Sequence, residues 1–109
     1  MSRVTNLMIA FNSSEDSKGV IEQLRKFTYR NLPFNITSVK DEKLPESWYG
    51  GTKYLECNIL LGAFNHFEIK PLVEYMRQMT WDSPECVQLI IKEEWDVRFR
   101  IVEVFPEEQ

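Results

Sequence analysis

Residues 50–79, GGTKYLECNILLGAFNHFEIKPLVEYMRQM, decide the fold. They read as a loop, a long strand, a turn and an amphipathic helix in direct succession. Over residues 53–64, Leu55, Cys57, Ile59, Leu61 and Ala63 share one parity, and Tyr54, Glu56, Asn58, Leu60, Gly62 and Phe64 share the other. Period-two alternation with a dry side and a mixed side predicts a central strand whose dry side meets helices. The mixed side, which spends Tyr, Glu and Asn, is where function is expected. After a turn at Asn65, His66 and Phe67, a helix is expected over residues 68–79, with Pro71 in its first turn. Ile69, Leu72, Val73, Met76 and Met79 form its inward stripe at three- and four-residue spacing.

Upstream lies the one long loop, residues 40–52, KDEKLPESWYGGT, where Pro45 and the Gly50–Gly51 pair exclude regular structure. Trp48 and Tyr49 on so polar a loop either cap the end of the core or anchor a partner, since both types are enriched at interfaces. Residues 34–39 read as a short strand. Before it, a helix is expected to run from the capping oxygens of Asn12, Ser13 and Ser14 to about Tyr29, with Glu15 and Asp16 in its first turn. Val20, Ile21, Leu24, Phe27 and Thr28 would face inward. Gly19 weakens that helix by up to ~1 kcal/mol relative to Ala, and is expected to mark a close approach to the sheet. Residues 4–11 open the fold as a strand, with Leu7, Ile9 and Phe11 opposite Asn6, Met8 and Ala10.

Downstream, Trp81, Asp82, Ser83 and Pro84 stop the second helix, because the residue before proline avoids helical angles. Residues 86–92 read as a strand with Val87, Leu89 and Ile91 inward. Residues 93–96 turn the chain into a fifth strand over 97–105. The order βαββαββ predicts an α+β protein: a ferredoxin-like βαββαβ sandwich with an extra C-terminal strand and both helices on one sheet face. The open face would then display Tyr54, Glu56, Asn58, Gln88, Lys92, Arg98 and Arg100.

At 109 residues the chain is expected to form a single domain, 1–109, and 43% hydrophobic residues suffice for a packed core. No apolar run approaches the ~20 residues that span a membrane, and the opening MSRVTNLMIAF alternates as a strand does, unlike a signal peptide. Cys57 and Cys86 are too few for a disulfide framework, so both are expected reduced in a cytoplasm. Residues 1–81 hold 10 Lys/Arg against 9 Asp/Glu, whereas residues 82–109 hold 3 against 8. That acidic third, with a net charge of −4, argues against nucleic-acid binding, which needs a basic face, and suits a basic protein partner.

No Walker loop, dinucleotide fingerprint, nucleophile elbow or H-E-x-x-H run is present. His66 is the only histidine, so any imidazole base or ligand has to be this one. Cys57 reads as a small core hydrophobe. Cys57, Cys86 and His66 lack metal-ligand spacing, so no metal and no cofactor is expected. Glu56 with Arg98 or Arg100 reads either as a cross-strand ion pair or as a ligand-gripping pair.

The strings Trp48-Tyr49-Gly50-Gly51-Thr52-Lys53, Ala63-Phe64-Asn65 and Val87-Gln88-Leu89-Ile90-Ile91-Lys92 resemble small bacterial immunity proteins of polymorphic or contact-dependent toxin systems. The resemblance covers residues 48–104 and implies a cytoplasmic protein that neutralises a cognate toxin domain without turnover or cofactor. The expected contact residues are Trp48, Tyr49, Tyr54, Glu56, Asn58, His66 and Arg98. The competing expectation is a small-molecule enzyme or ligand-binding domain in which Glu56, Asn58, His66 and Arg98 converge on the open sheet face.

Overall fold

The computed structural model describes residues 3–12, 19–38 and 57–105, and at its centre lies the first strand, β1 (Val4–Asn12). In chain order there follow α1 (Val20–Arg25), the short strands β2 (Thr28–Tyr29), β3 (Leu32–Pro33) and β4 (Thr37–Ser38), then β5 (Cys57–Asn65) and α2 (Ile69–Gln78). A 3-10 turn (Pro84–Cys86), β6 (Gln88–Glu93) and β7 (Arg100–Val102) complete the described elements. Five strands form one sheet in the order β4-β5-β1-β6-β7, and every pairing in it is antiparallel. The chain is therefore α+β. Each helix links two strands that run the same way and flank a third: α1 joins β1 to β4 around β5, and α2 joins β5 to β6 around β1.

The alternation of β1 sets the layers. Thr5, Leu7, Ile9 and Phe11 are buried and their neighbours are not. Directly opposed residues share a face, so Leu60 and Leu89 flank Ile9, Ile91 flanks Leu7, and Phe64 flanks Thr5 on that side. Val20 and Leu24 of α1 and Leu72, Val73 and Met76 of α2 join these residues in one core, so both helices cover the same face. Each such side chain, fully buried, contributes about 1.5–3 kcal/mol.

At the Phe64 end of the core, Phe34 stacks on Phe64 with ring centroids 4.9 Å apart, and Tyr29 meets Phe67 edge-on at 4.7 Å. At the other end Trp81 tilts against Phe11 at 5.8 Å and donates its indole N–H to the Met76 carbonyl at 2.9 Å. That bond satisfies the polar edge a buried Trp would otherwise leave open.

Four expectations need correction. The faces of β5 are exchanged: Asn58, Leu60 and Phe64 lie under the helices, and Leu61 and Ala63 face away from them. Both parities of this strand are largely apolar; the one carrying Phe64 wins because it joins the aromatic cluster. The described part of the first helix ends at Arg25, and residues 28–33 form a hairpin whose turn residues, Arg30 and Asn31, both have left-handed backbone (φ 51° and 62°). The fifth strand is three residues long, and its Arg100 opposes Ile91, on the helix side of the sheet. Gly19 makes no close approach: it precedes α1 with φ 74°, and a Cβ there would meet nothing within 4 Å. The close approach belongs to Gly62, whose Cβ would sit 2.7 Å from the Phe64 ring and 3.3 Å from Ile36 Cγ2.

Candidate functional site: the uncovered sheet face

The pairings that hide one face display the other. Thr37 opposes Leu61, Leu61 opposes Met8, Met8 opposes Ile90, and Ile90 opposes Ile101. One row of side chains thus crosses all five strands on the face away from the two described helices, and four of its five members are apolar. The next row holds Ala63, Asn6 and Lys92, and the other flank holds Ile59, Ala10 and Gln88. Lys92 is the only charged residue that the described pairings place there.

The segment that leads from the β6–β7 turn into β7 continues this surface. Trp95, Val97, Phe99 and Ile101 alternate with Asp96, Arg98 and Arg100, the pattern of a half-buried strand. Among the described residues nothing covers them as it would a core strand: Val97 is 89% exposed, Ile101 61% and Phe99 47%, with Leu61 across the face at 42%. An open concavity of about 440 Å³ lies on this face, lined by Asn6, Met8, Thr37, Leu61, Gly62 and Phe99 among others. Trp95 itself sits at the end of the sheet, where the Arg3 guanidinium lies 6.0 Å from its ring centroid. Asp96 closes the turn between β6 and β7: its carboxylate accepts from the Glu93 N–H at 2.9 Å and pairs with Arg100 at 3.5 Å.

Of the sequence-predicted site residues, Asn58 and His66 lie at opposite ends of β5 and are not brought together. Asn58 is 1% exposed beneath the helices, where its Oδ1 accepts from the Ser38 hydroxyl at 2.7 Å and ties β4 to β5. His66 lies beyond the opposite end of β5, about 27 Å of strand away at ~3.4 Å per residue, with left-handed backbone (φ 54°) and its N–H bonded to the Arg3 carbonyl at 2.8 Å. Arg98 is exposed in the bend between β6 and β7. Trp48, Tyr49, Tyr54 and Glu56 lie outside the described residues. The expected convergence of Glu56, Asn58, His66 and Arg98 on the open face therefore fails at Asn58, which points into the core.

No family model, no curated protein and no solved structure matches the chain. Function has to be read from the surface. Among the described residues no group of three or more His, Cys, Asp or Glu could hold a metal ion, and no helix is long and apolar enough to cross a membrane. Cys86 is exposed and free. Of the residues that make the open face, Phe99 and Ile101 carry a sequence signal, the alternation from Trp95 to Ile101, whereas Met8, Leu61 and Ile90 are joined to them by strand register.

Proposed function

We propose that the protein is a binding module whose uncovered sheet face is its contact surface, and that it acts as an immunity protein, occluding a cognate bacterial toxin domain. One observation carries this reading: an apolar row crosses five strands on the face that neither described helix covers, with a single lysine as its described charge. Interface centres are depleted of charge, and contiguous exposed apolar surface on a small domain marks a place where something docks. The net charge of −4 attracts a basic partner at long range, and the face itself then binds by apolar burial.

The order β4-β5-β1-β6 with two helices on one side supports a ferredoxin-like sandwich, with β7 as the added C-terminal strand. A cytoplasmic home agrees with the free thiol of Cys86. The test is a titration of the purified chain against any toxin domain found encoded beside it, following toxin activity and the backbone amides of the chain together. Inhibition with perturbed amides at Met8, Leu61, Ile90 and Ile101 is the expected result. Inhibition that perturbs only the helices removes the open face from the mechanism, and absence of binding removes the immunity reading.

A further inference from the structure

We infer that a second cavity, between the β2–β3 hairpin and the start of α2, binds a small amphoteric molecule, one carrying an oxyanion and an ammonium group. The cavity measures about 460 Å³ and is lined by Thr28, Tyr29, Arg30, His66, Glu68 and Pro71. It shares no lining residue with the concavity on the open sheet face, so this site stands or falls independently of the proposed function.

Its walls are held, while its charged side chains, Arg30 and Glu68, are exposed at the cavity's rim. The Tyr29 ring packs edge-on against Phe64 and Phe67, and its hydroxyl donates to the Asn65 carbonyl at 3.3 Å. The His66 backbone N–H is tied to Arg3 at 2.8 Å. The side chains of Arg30, His66 and Glu68, by contrast, make no hydrogen bond or ion pair among the described residues. A cation and a carboxylate thus line one cavity without meeting each other. A molecule bearing both complementary charges satisfies both: its carboxylate or phosphate takes the planar fork of Arg30, and its ammonium takes Glu68. His66 can hydrogen-bond either.

The backbone supports the same reading. Arg30 and His66 hold left-handed backbone, which costs any residue with a Cβ and costs glycine nothing. At Arg30 the two-residue hairpin turn itself calls for this backbone, so the informative position is His66, where the chain keeps an imidazole although glycine would relieve the strain.

The test is amide chemical-shift titration of the whole chain with glycylglycine, with O-phosphoethanolamine, and with N-acetylglycine, which lacks the ammonium. Saturable shifts confined to residues 28–31 and 66–72 are expected with one or both of the first two. Glycylglycine alone assigns a carboxylate ligand, and phosphoethanolamine alone a phosphate ligand. N-acetylglycine should bind at least ~10-fold more weakly, about the worth of one charge-assisted hydrogen bond. Arg30→Gly should raise the melting temperature by roughly 4 °C through relief of strain, and should abolish the shifts. Glu68→Gln should leave the melt unchanged and erase the preference for glycylglycine over N-acetylglycine. No saturable shift with either amphoteric probe, or equal binding of N-acetylglycine by the wild-type chain, overturns the inference.

Discussion

At Gly62 the sheet leaves room for a hydrogen and no more. Its absent Cβ would lie 2.7 Å from two ring atoms of Phe64, and that ring is held by Phe34, Phe67 and Tyr29. The ring cannot swing aside cheaply, so Gly62→Ala should destabilise the protein by about 1–3 kcal/mol, the usual cost of overpacking. Urea denaturation measures it. Phe64→Leu removes the clashing atoms, so the double variant should lose less than the two single losses added, with a coupling of about 1 kcal/mol. Strict additivity would place the cost of Gly62→Ala somewhere other than the ring. A second residue-level test concerns Glu93, 6% exposed, whose Oε2 accepts from the hydroxyl of fully buried Thr5 at 2.7 Å. Thr5→Val keeps the shape and strands the carboxylate, at a cost of about 1.5–3 kcal/mol, as for hydrogen bonds to charged groups. Thr5→Ser, which keeps the hydroxyl, should recover part of it. Equal melts for Val and Ser would show that the bond contributes nothing.

Among the elements, the strands and α2 were legible in sequence, and the stretch between α1 and β4 was not. Regular periodicity explains the first: Leu7, Ile9 and Phe11, or Leu72, Val73 and Met76, each mark one face whatever packs on it. The hairpin at residues 28–33 hid because its turn carries Arg30 and Asn31 in place of the glycine that normally announces left-handed backbone, and Phe27 continues the helical spacing of Leu24. For β5 the period was right and the face was wrong, since alternation fixes which residues go together and not which set is covered. Asn58, read as a surface group, is a buried tie between strands. The hairpin gives its own prediction. Two successive left-handed residues follow the pattern of a type I′ turn, whose second position favours glycine, so Asn31→Gly should raise stability by roughly 0.5 kcal/mol. A melt lowered by this substitution would mean that the Asn31 side chain holds the turn.

For the molecule as a whole, the question is why both described helices lie on one face of the sheet and an apolar row lies on the other. Two helices suffice to cover one side of five strands, and the core they enclose takes the large aromatics Phe11, Phe34 and Phe67 to full burial. The other side keeps Met8, Leu61, Ile90 and Ile101 in one row, an arrangement that contributes little to the stability of the isolated chain and much to any complex that buries it. Those two consequences separate in one variant. Ile101 is 61% exposed on a three-residue edge strand, so Ile101→Ser should cost under about 1 kcal/mol of stability, the range for exposed strand positions. If the row is the centre of a protein interface, the same change should weaken the cognate complex by about 2 kcal/mol, roughly 30-fold in Kd. Asn58→Ala should do the reverse, lowering the melt by removing a buried tie while the folded fraction binds as before. A thermal melt and a binding titration on these two variants place the contact surface on one side of the sheet or the other. Unaltered affinity for Ile101→Ser in a chain that melts normally would leave the open face without a part in the complex.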